Sequence, residues 1–175
     1  PKDAVILDIG ANIGNHSVYW ATVGGAKLIH SFEPIKMTYE MLERNIELNN
    51  LGHIIIPHNI GIGATKSAGE IAKLNAINIG GSSIKKTERT NDYSIQIEAI
   101  DEMDLGLERI DFVKIDVEGF ELNVLAGIEK TLEQHKPVVF IEAFENTVKE
   151  VKAFFASIGY QDAIDMGDSN YLFQP

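Results

Sequence analysis

Three acidic side chains lie close together in the run 114–121, directly after a stretch typical of a buried strand. The strand delivers Asp116 near its carboxyl end, and Gly119 begins the next helix, so Glu118 and Glu121 fall at its first turn. Such carboxylates can bind a substrate hydroxyl, act as a general base or hold a divalent metal through oxygen. Stabilisation of the helix dipole is the alternative role of the two glutamates. A divalent metal is chemically possible here but is not predicted.

A glycine-rich turn, Asp8-Ile-Gly-Ala-Asn-Ile-Gly14, follows the first apolar run. Gly10 permits tight backbone geometry and close approach of a ligand, and Gly14 permits close packing of helix and strand. The free N–H groups of the helix that follows favour a nucleotide-like ligand at this edge of the sheet. Glu33 ends the second strand and is placed to accept hydrogen bonds from both hydroxyls of a ribose.

The glycine spacing separates two classes of nucleotide-like ligand. A dinucleotide fingerprint reads G-x-G-x-x-G, but Asn12 stands where its second glycine should be. Asp8 adds an acid two residues before the first glycine, which suits a sulfonium cation better than a pyrophosphate. An NAD-dependent oxidoreductase and a non-catalytic nucleotide-binding module stay open as alternatives.

Four weaker candidates complete the set of polar sites. Glu142 ends a later strand, where substrate contact and plain solvation are equally good interpretations. His16 could assist proton transfer, although a surface position on the helix is the simpler interpretation. Asn59 follows the third strand, where it could contact an adenine base. The run Gly80-Gly-Ser-Ser83 could be a substrate loop or a flexible segment.

These side chains can form one site only if the strands before them end at a common edge of a sheet. The hydrophobic pattern predicts such strands. Strands and helices alternate at both ends of the chain, which predicts a mostly parallel sheet with helices on its faces. The middle, 59–100, lacks a convincing helix and predicts a β-rich insertion, flexible near 78–91. The predicted strands are 4–8, 27–32, 53–57, 70–74, 94–100, 110–116, 138–142, 160–164 and 170–173, and the predicted helices are 14–23, 36–49, 119–134 and 147–157. The last two strands should form an antiparallel hairpin.

Composition narrows the function classes. The 175 residues suit a single domain, 1–175, and the net charge of −11 disfavours a nucleic-acid partner. No cysteine and no long apolar run occur, which predicts a cytoplasmic protein without disulfides or membrane contact. The chain begins at Pro1, close to the first strand, so we expect a trimmed terminus or an excised domain. Oligomeric state is left open.

Together these features resemble the FkbM-type family of class I S-adenosylmethionine-dependent methyltransferases. The matching stretches cover nearly the whole chain in the family's order: Asp8–Gly14, Phe32-Glu-Pro34, Asn45 with Asn49, Gly80–Ser83, Lys114–Glu121, Ile141-Glu142 and Gly159-Tyr160. The resemblance implies a Rossmann-like α/β fold with a seven-stranded sheet, and methylation of a hydroxyl on a sugar or natural-product-like small molecule. One departure is that relatives usually carry helices before the first strand, and we expect this sequence to lack them because it begins almost at that strand.

The expected site residues fall into three groups. Cofactor contacts are expected from Asp8, Gly10, Ala11, Asn12, Gly14, Asn15, Glu33, Pro34, Asn59, Ile60 and Asp116. Catalysis is assigned to Asp116, Glu118 and, with less support, His16. Binding of a small-molecule or carbohydrate acceptor is assigned to Glu118, Glu121, Glu142, Ser82 and Ser83.

Overall fold

The computed structural model describes residues 2–73, 83–86 and 94–175, and for 70–73, 83–86 and 94 it describes the backbone alone. The strands are β1 Val5–Ile9, β2 Leu28–Phe32, β3 Ile55–His58, β4 Gly61–Ile62, β5 Ser67–Lys73, β6 Ser83–Lys86, β7 Ser94–Glu98, β8 Phe112–Ile115, β9 Val138–Glu142, β10 Ile164–Gly167 and β11 Asn170–Phe173. The helices are α1 Asn15–Thr22, α2 Lys36–Leu48, α3 Glu121–Ala126, α4 Glu129–His135 and α5 Val148–Ser157. None of these described helices is long and apolar enough to cross a membrane.

The main sheet has seven strands in the order β10-β11-β9-β8-β1-β2-β3. Its five strands from β9 to β3 run parallel, and β11 and β10 are antiparallel additions at one edge. Every residue of β1 is buried, as expected of a central parallel strand covered on both faces. The predicted fold class, a Rossmann-like sheet with a terminal hairpin, is confirmed.

The register of the parallel strands places their carboxyl ends side by side. Ile9 of β1 is paired with Phe32 of β2 and with Ile115 of β8, and Ile115 is paired with Ile141 of β9. The residues that follow these strands therefore share one edge of the sheet, where ligands bind in open α/β folds.

A second sheet, in the order β4-β7-β5-β6, is formed within the β-rich insertion. Ile95 and Ile97 of β7 are buried in the same core cluster as Phe120 and Val124 at the start of the helix layer. The insertion thus shares the core on one face of the main sheet with α3, α4 and α5, while α1 and α2 pack on the other face around Ile29 and Leu42. The expected flexibility near 78–91 falls mostly on residues outside the described part of the chain.

The expectation of a single helix over 119–134 is wrong, because two helices, α3 and α4, form there and are divided at Gly127. A Cβ on Gly127 would overlap the carbonyl oxygen of Gly63, so the chain at this point lies against the insertion. Asp101 then provides a new helix start, since its carboxylate accepts the N–H groups of Lys130 at 3.0 Å and Thr131 at 2.9 Å. Leu122, expected on the buried face, is 38% exposed.

The terminal hairpin forms, but its first strand begins at Ile164 and not at Tyr160. Tyr160 is instead buried, and its hydroxyl donates to the carbonyl of Pro137 at 2.9 Å. The turn consists of Asp168 and Ser169, which both have positive φ. That geometry is typical of a two-residue hairpin turn. The third strand is also displaced, to Ile55–His58 from the expected 53–57.

The contact between Gly127 and Gly63 can be tested by adding one methyl group. Gly127 has φ −101°, which any residue adopts, so Gly127→Ala introduces overlap without backbone strain. We expect a loss of about 1–3 kcal/mol in the free energy of unfolding. Gly52→Ala is the matched control, because a Cβ there meets nothing within 4 Å. Urea denaturation of both variants measures the difference, and equal stabilities would contradict the contact.

A pair formed by the buried His30 and the half-buried His58 predicts acid sensitivity of the fold. His30 Nδ1 and His58 Nε2 lie 2.9 Å apart. Burial, followed by the charge of His58, lowers the pKa of His30 from 6.5 to about 4. Between these values the unfolded chain binds more protons than the folded one, so stability should fall as the pH drops from 6.5 towards 4. His30→Phe should flatten the slope of unfolding free energy between pH 7 and pH 5, whereas the exposed His53→Phe should not. Parallel slopes in both variants would sink this explanation.

Candidate functional site

The turn after β1 is held by contacts within the chain itself. Gly10 has φ +81°, and a Cβ there would overlap the carbonyl oxygen of Asp116 at the end of β8. Gly10 is therefore required for close approach of two strand ends, whatever ligand binds beside it. Gly14, also at positive φ, lies against Leu42 of α2. Gly14 thus packs helix against helix, which corrects the expected packing of helix on strand.

Glu33 joins this turn to the end of β2. It is 5% exposed, and its carboxylate accepts the N–H groups of Asn12 and Ile35, each at 2.9 Å, and the hydroxyl of Thr38 at 2.8 Å. Asn12 has φ +52°, a conformation that asparagine tolerates better than most residues. Burial raises the pKa of the Glu33 carboxyl, although its hydrogen bonds and the charge of Lys114 act in the opposite direction. The acid is therefore fixed in place beside the turn.

The remaining expected cofactor residues surround this acid. Asn59 donates its side-chain amide to the carbonyls of Glu33 at 2.9 Å and Pro34 at 3.2 Å, which ties the end of β3 to the end of β2. Ala11 is buried, Ile60 packs against the core, and Asn15 is exposed at the first position of α1. These positions follow the carboxyl ends of β1, β2 and β3, which are neighbours in the sheet, and we call them the rim.

A buried lysine, whose role the sequence pattern alone did not indicate, lies beneath the rim. Lys114 is 3% exposed, and its Nζ lies 3.4 Å from Asp8 Oδ1 and 3.2 Å from Asp116 Oδ2. It also donates to the carbonyl of Gly10 at 3.1 Å. Asp8 is fully buried and accepts the hydroxyl of Ser17, and its expected contact with a cofactor stays a prediction.

Three carboxylates converge at the neighbouring strand ends. Asp116, Glu118 and Glu142 each offer an oxygen within 4.8 Å of the others, and all are partly exposed. Burial raises the pKa of Glu118, and the charges of Asp116 and Glu121 add to the effect. Burial, a hydrogen bond with Asp116 and the surrounding negative charges raise the pKa of Glu142 to about 7. The cluster can therefore bind or release a proton near neutral pH.

The turn that carries Glu118 has unusual backbone geometry. Glu118 has φ +50° and Gly119 has φ +91°. Glu121, expected to bind substrate, is fully buried; it accepts the N–H of Gly119 at 2.6 Å and faces the hydroxyl of Thr147 at 3.5 Å. Its carboxylate thus supports the turn from inside, and Glu118 is the acid that the turn exposes.

The other expected site residues lie apart from this cluster or outside the described residues. His16 is exposed on α1, and its ring stacks on Trp20 with centroids 5.6 Å apart. Ser82 lies outside the described residues, and only the backbone of Ser83 is described, within β6. Their expected role in substrate binding stays a prediction.

Lys114 and Thr38 are the site residues that the sequence analysis missed. Lys114 stands inside an apolar strand next to two acids that were singled out, and a charged residue at a central strand position is itself a signal of buried pairing. Thr38, in the first turn of α2, carried no comparable signal.

Comparison with known proteins finds methyltransferases that are similar to this chain. Methyltransferase sdnD of Sordaria araneosa is 28% identical over 178 residues, covering 83% of this chain and 68% of the relative. The hexuronic acid methyltransferase AglP of Haloferax volcanii is 29% identical over 134 residues, covering 75% of this chain and 53% of the relative. The chain therefore spans about half to two thirds of these relatives.

A solved structure and a family sequence model also match this chain, and the family model identifies the family. The crystal structure of methyltransferase FkbM from Methylobacillus flagellatus KT matches with a TM-score of 0.74 at 22% identity, over 100% of this chain and 44% of that one. The sequence model of the methyltransferase FkbM domain matches residues 8–161, and on that match the chain belongs to the FkbM methyltransferase family.

Proposed function

We propose that the chain transfers a methyl group from S-adenosylmethionine to a hydroxyl of a sugar or natural-product-like acceptor. The observation that carries the proposal is the adjacency of two features at one sheet edge. The rim around Glu33 can hold the cofactor, and the cluster of Asp116, Glu118 and Glu142 can receive a hydroxyl and its proton. S-adenosylmethionine supplies a methyl group that is already activated by its sulfonium, so the protein must mainly position the acceptor oxygen.

The donor set of the rim suits this cofactor. Glu33 already accepts three hydrogen bonds, and its Oε2, which accepts only the N–H of Asn12, keeps a lone pair for a ribose hydroxyl. Asn12, Asn15 and Asn59 add polar groups beside it, and the acid cluster gives the edge a negative field that favours a cation. The family match favours this cofactor over NAD, and a non-catalytic binding module would have no use for the converging acids.

Proton transfer falls to the carboxylates. Glu118 is partly exposed at the turn and has a raised pKa, so its ionised form is a stronger base than an ordinary glutamate and can accept the proton of an acceptor hydroxyl. Asp116 and Glu142 lie next to it and can share that proton. The stacking of His16 on Trp20 makes His16 the weaker candidate base. Lys114 already places a positive charge 3.2 Å from Asp116, so we assign the cluster to protons and not to a metal.

The acceptor class rests on the relatives and on charge. One relative acts on a hexuronic acid by its name, which supports a carbohydrate acceptor. The net charge of −11 argues against nucleic acid, because phosphate contacts need basic groups. A cytoplasmic site of action stays part of the proposal.

Cofactor binding is the first test. Calorimetric titration should show binding of S-adenosylhomocysteine and none of NAD. Glu33→Gln should weaken that binding by about tenfold or more, because it removes a charged hydrogen-bond acceptor. Glu40→Gln, an exposed change on α2, is the matched control and should leave affinity unchanged. Binding of NAD without binding of S-adenosylhomocysteine would overturn the proposal.

Turnover tests the carboxylates once an acceptor is found by screening sugars and polyhydroxylated natural products with labelled S-adenosylmethionine. Glu118→Gln and Asp116→Asn should lower kcat by roughly 10²–10⁴-fold, the usual contribution of a general base. Activity of the parent should rise with pH through the raised pKa of Glu118, because only the ionised form accepts a proton. Glu133→Gln on α4 is the matched control. Full activity in both site variants would reject the assignment.

A further inference from the structure

Lys114 is buried in the centre of the main sheet, where an unpaired ammonium would be strongly disfavoured. Its β8 position is directly opposite Asp8 of β1 in the register of the two strands. The Asp8 carboxylate, which is fully buried, therefore supplies one counter-charge. Neutralising Asp8 would be enough to explain Lys114 as a structural residue.

Two further contacts of Lys114 go beyond that structural pairing. Its ammonium lies 3.2 Å from Asp116 Oδ2 and donates to the Gly10 carbonyl at 3.1 Å. Gly10 is also the residue whose missing Cβ lets the backbone of Asp116 approach. Lys114 thus bonds to both sides of the junction between the cofactor turn and the acid cluster.

The charge of Lys114 acts on acids from several strands. Burial alone would lower the pKa of Lys114, but the charges of Asp8 and Asp116 raise it overall. The same charge acts on Glu33 at the end of β2. The charged groups around the junction are Asp8 in β1, Glu33 directly after β2, Asp116 directly after β8, Glu118 and Glu121 in the segment that follows, and Glu142 at the end of β9.

We propose that Lys114 is a positioning residue for methyl transfer. It holds the Gly10 carbonyl and the Asp116 carboxylate at a fixed distance, so that the acceptor oxygen is aligned with the methyl group of the cofactor. This inference rests on the proposed function. Lys114 itself touches neither ligand, since it is 3% exposed beneath the rim. Its effect is exerted through Gly10 on the cofactor side and through Asp116 on the acceptor side.

The test must separate this role from simple neutralisation of Asp8. Lys114→Met alone leaves the buried Asp8 without a counter-charge, so loss of folding there would support neither role over the other. The double variant Asp8→Asn with Lys114→Met removes both buried charges and keeps the acceptor oxygen for Ser17. Lys130→Met, an exposed lysine change on α4, is the matched control. Thermal unfolding first establishes that the double variant is folded.

Two measurements then decide. If Lys114 positions the junction, the folded double variant should bind S-adenosylhomocysteine about tenfold more weakly, a common effect of removing a residue behind a ligand contact. In NMR titration of ¹³C-labelled glutamate carboxyls, the pKa of Glu142 should also move upward from about 7, because the charge of Asp116 loses its nearest cation. If the affinity for S-adenosylhomocysteine and the pKa of Glu142 both stay as in the parent, Lys114 serves only as the counter-charge of Asp8.

A second double variant, Asp8→Asn with Lys114→Gln, decides the matter should the first not fold. Its two buried amides can hydrogen-bond to each other, while the ammonium beside Asp116 and Gly10 is removed. Weaker binding of S-adenosylhomocysteine by this folded variant supports the positioning role, and unchanged binding rejects it. Failure of the parent protein to bind S-adenosylhomocysteine would instead reject the proposed function, so the two failures are distinguishable.

Discussion

The close approach of β1 and β8 at their carboxyl ends is the constraint on which the rest of the site depends. It is fixed by a buried charge pair, Asp8 with Lys114, and by a glycine that admits the backbone of Asp116. Removing one partner of a buried pair leaves an uncompensated charge, which commonly costs about 3–5 kcal/mol. The two strand ends therefore stay at a fixed distance, and this distance sets the separation between the cofactor rim and the acid cluster.

Much of this arrangement follows from sequence because parallel strands share an edge. Alternating strand and helix patterns predict the sheet, and acids at the carboxyl ends of neighbouring strands must then converge, as Asp116 and Glu142 do. Glu33 follows the same rule at the end of β2. The convergence needs no knowledge of side-chain packing, which is why it could be predicted.

The features that could not be predicted from the sequence depend on contacts between residues that lie far apart along the chain. The helix division at Gly127 is set by Gly63 and Asp101, neither of which lies near it in sequence. The burial of Glu121 depends on Thr147 and on a turn of unusual backbone geometry. Local periodicity carries no information about such contacts, so the division of α3 from α4 and the inward orientation of Glu121 emerge only in three dimensions.

The left-handed backbone at Glu118 influences which substitutions at this position would stabilise the protein. Conformations of this kind cost non-glycine residues about 1–3 kcal/mol, and asparagine or glycine would occupy the position more comfortably. Selection for thermal robustness alone would therefore replace the acid. Laboratory evolution that screens only for heat resistance should drift towards such replacements here, and a domain stabilised in that way would lose the carboxylate that its turn exposes.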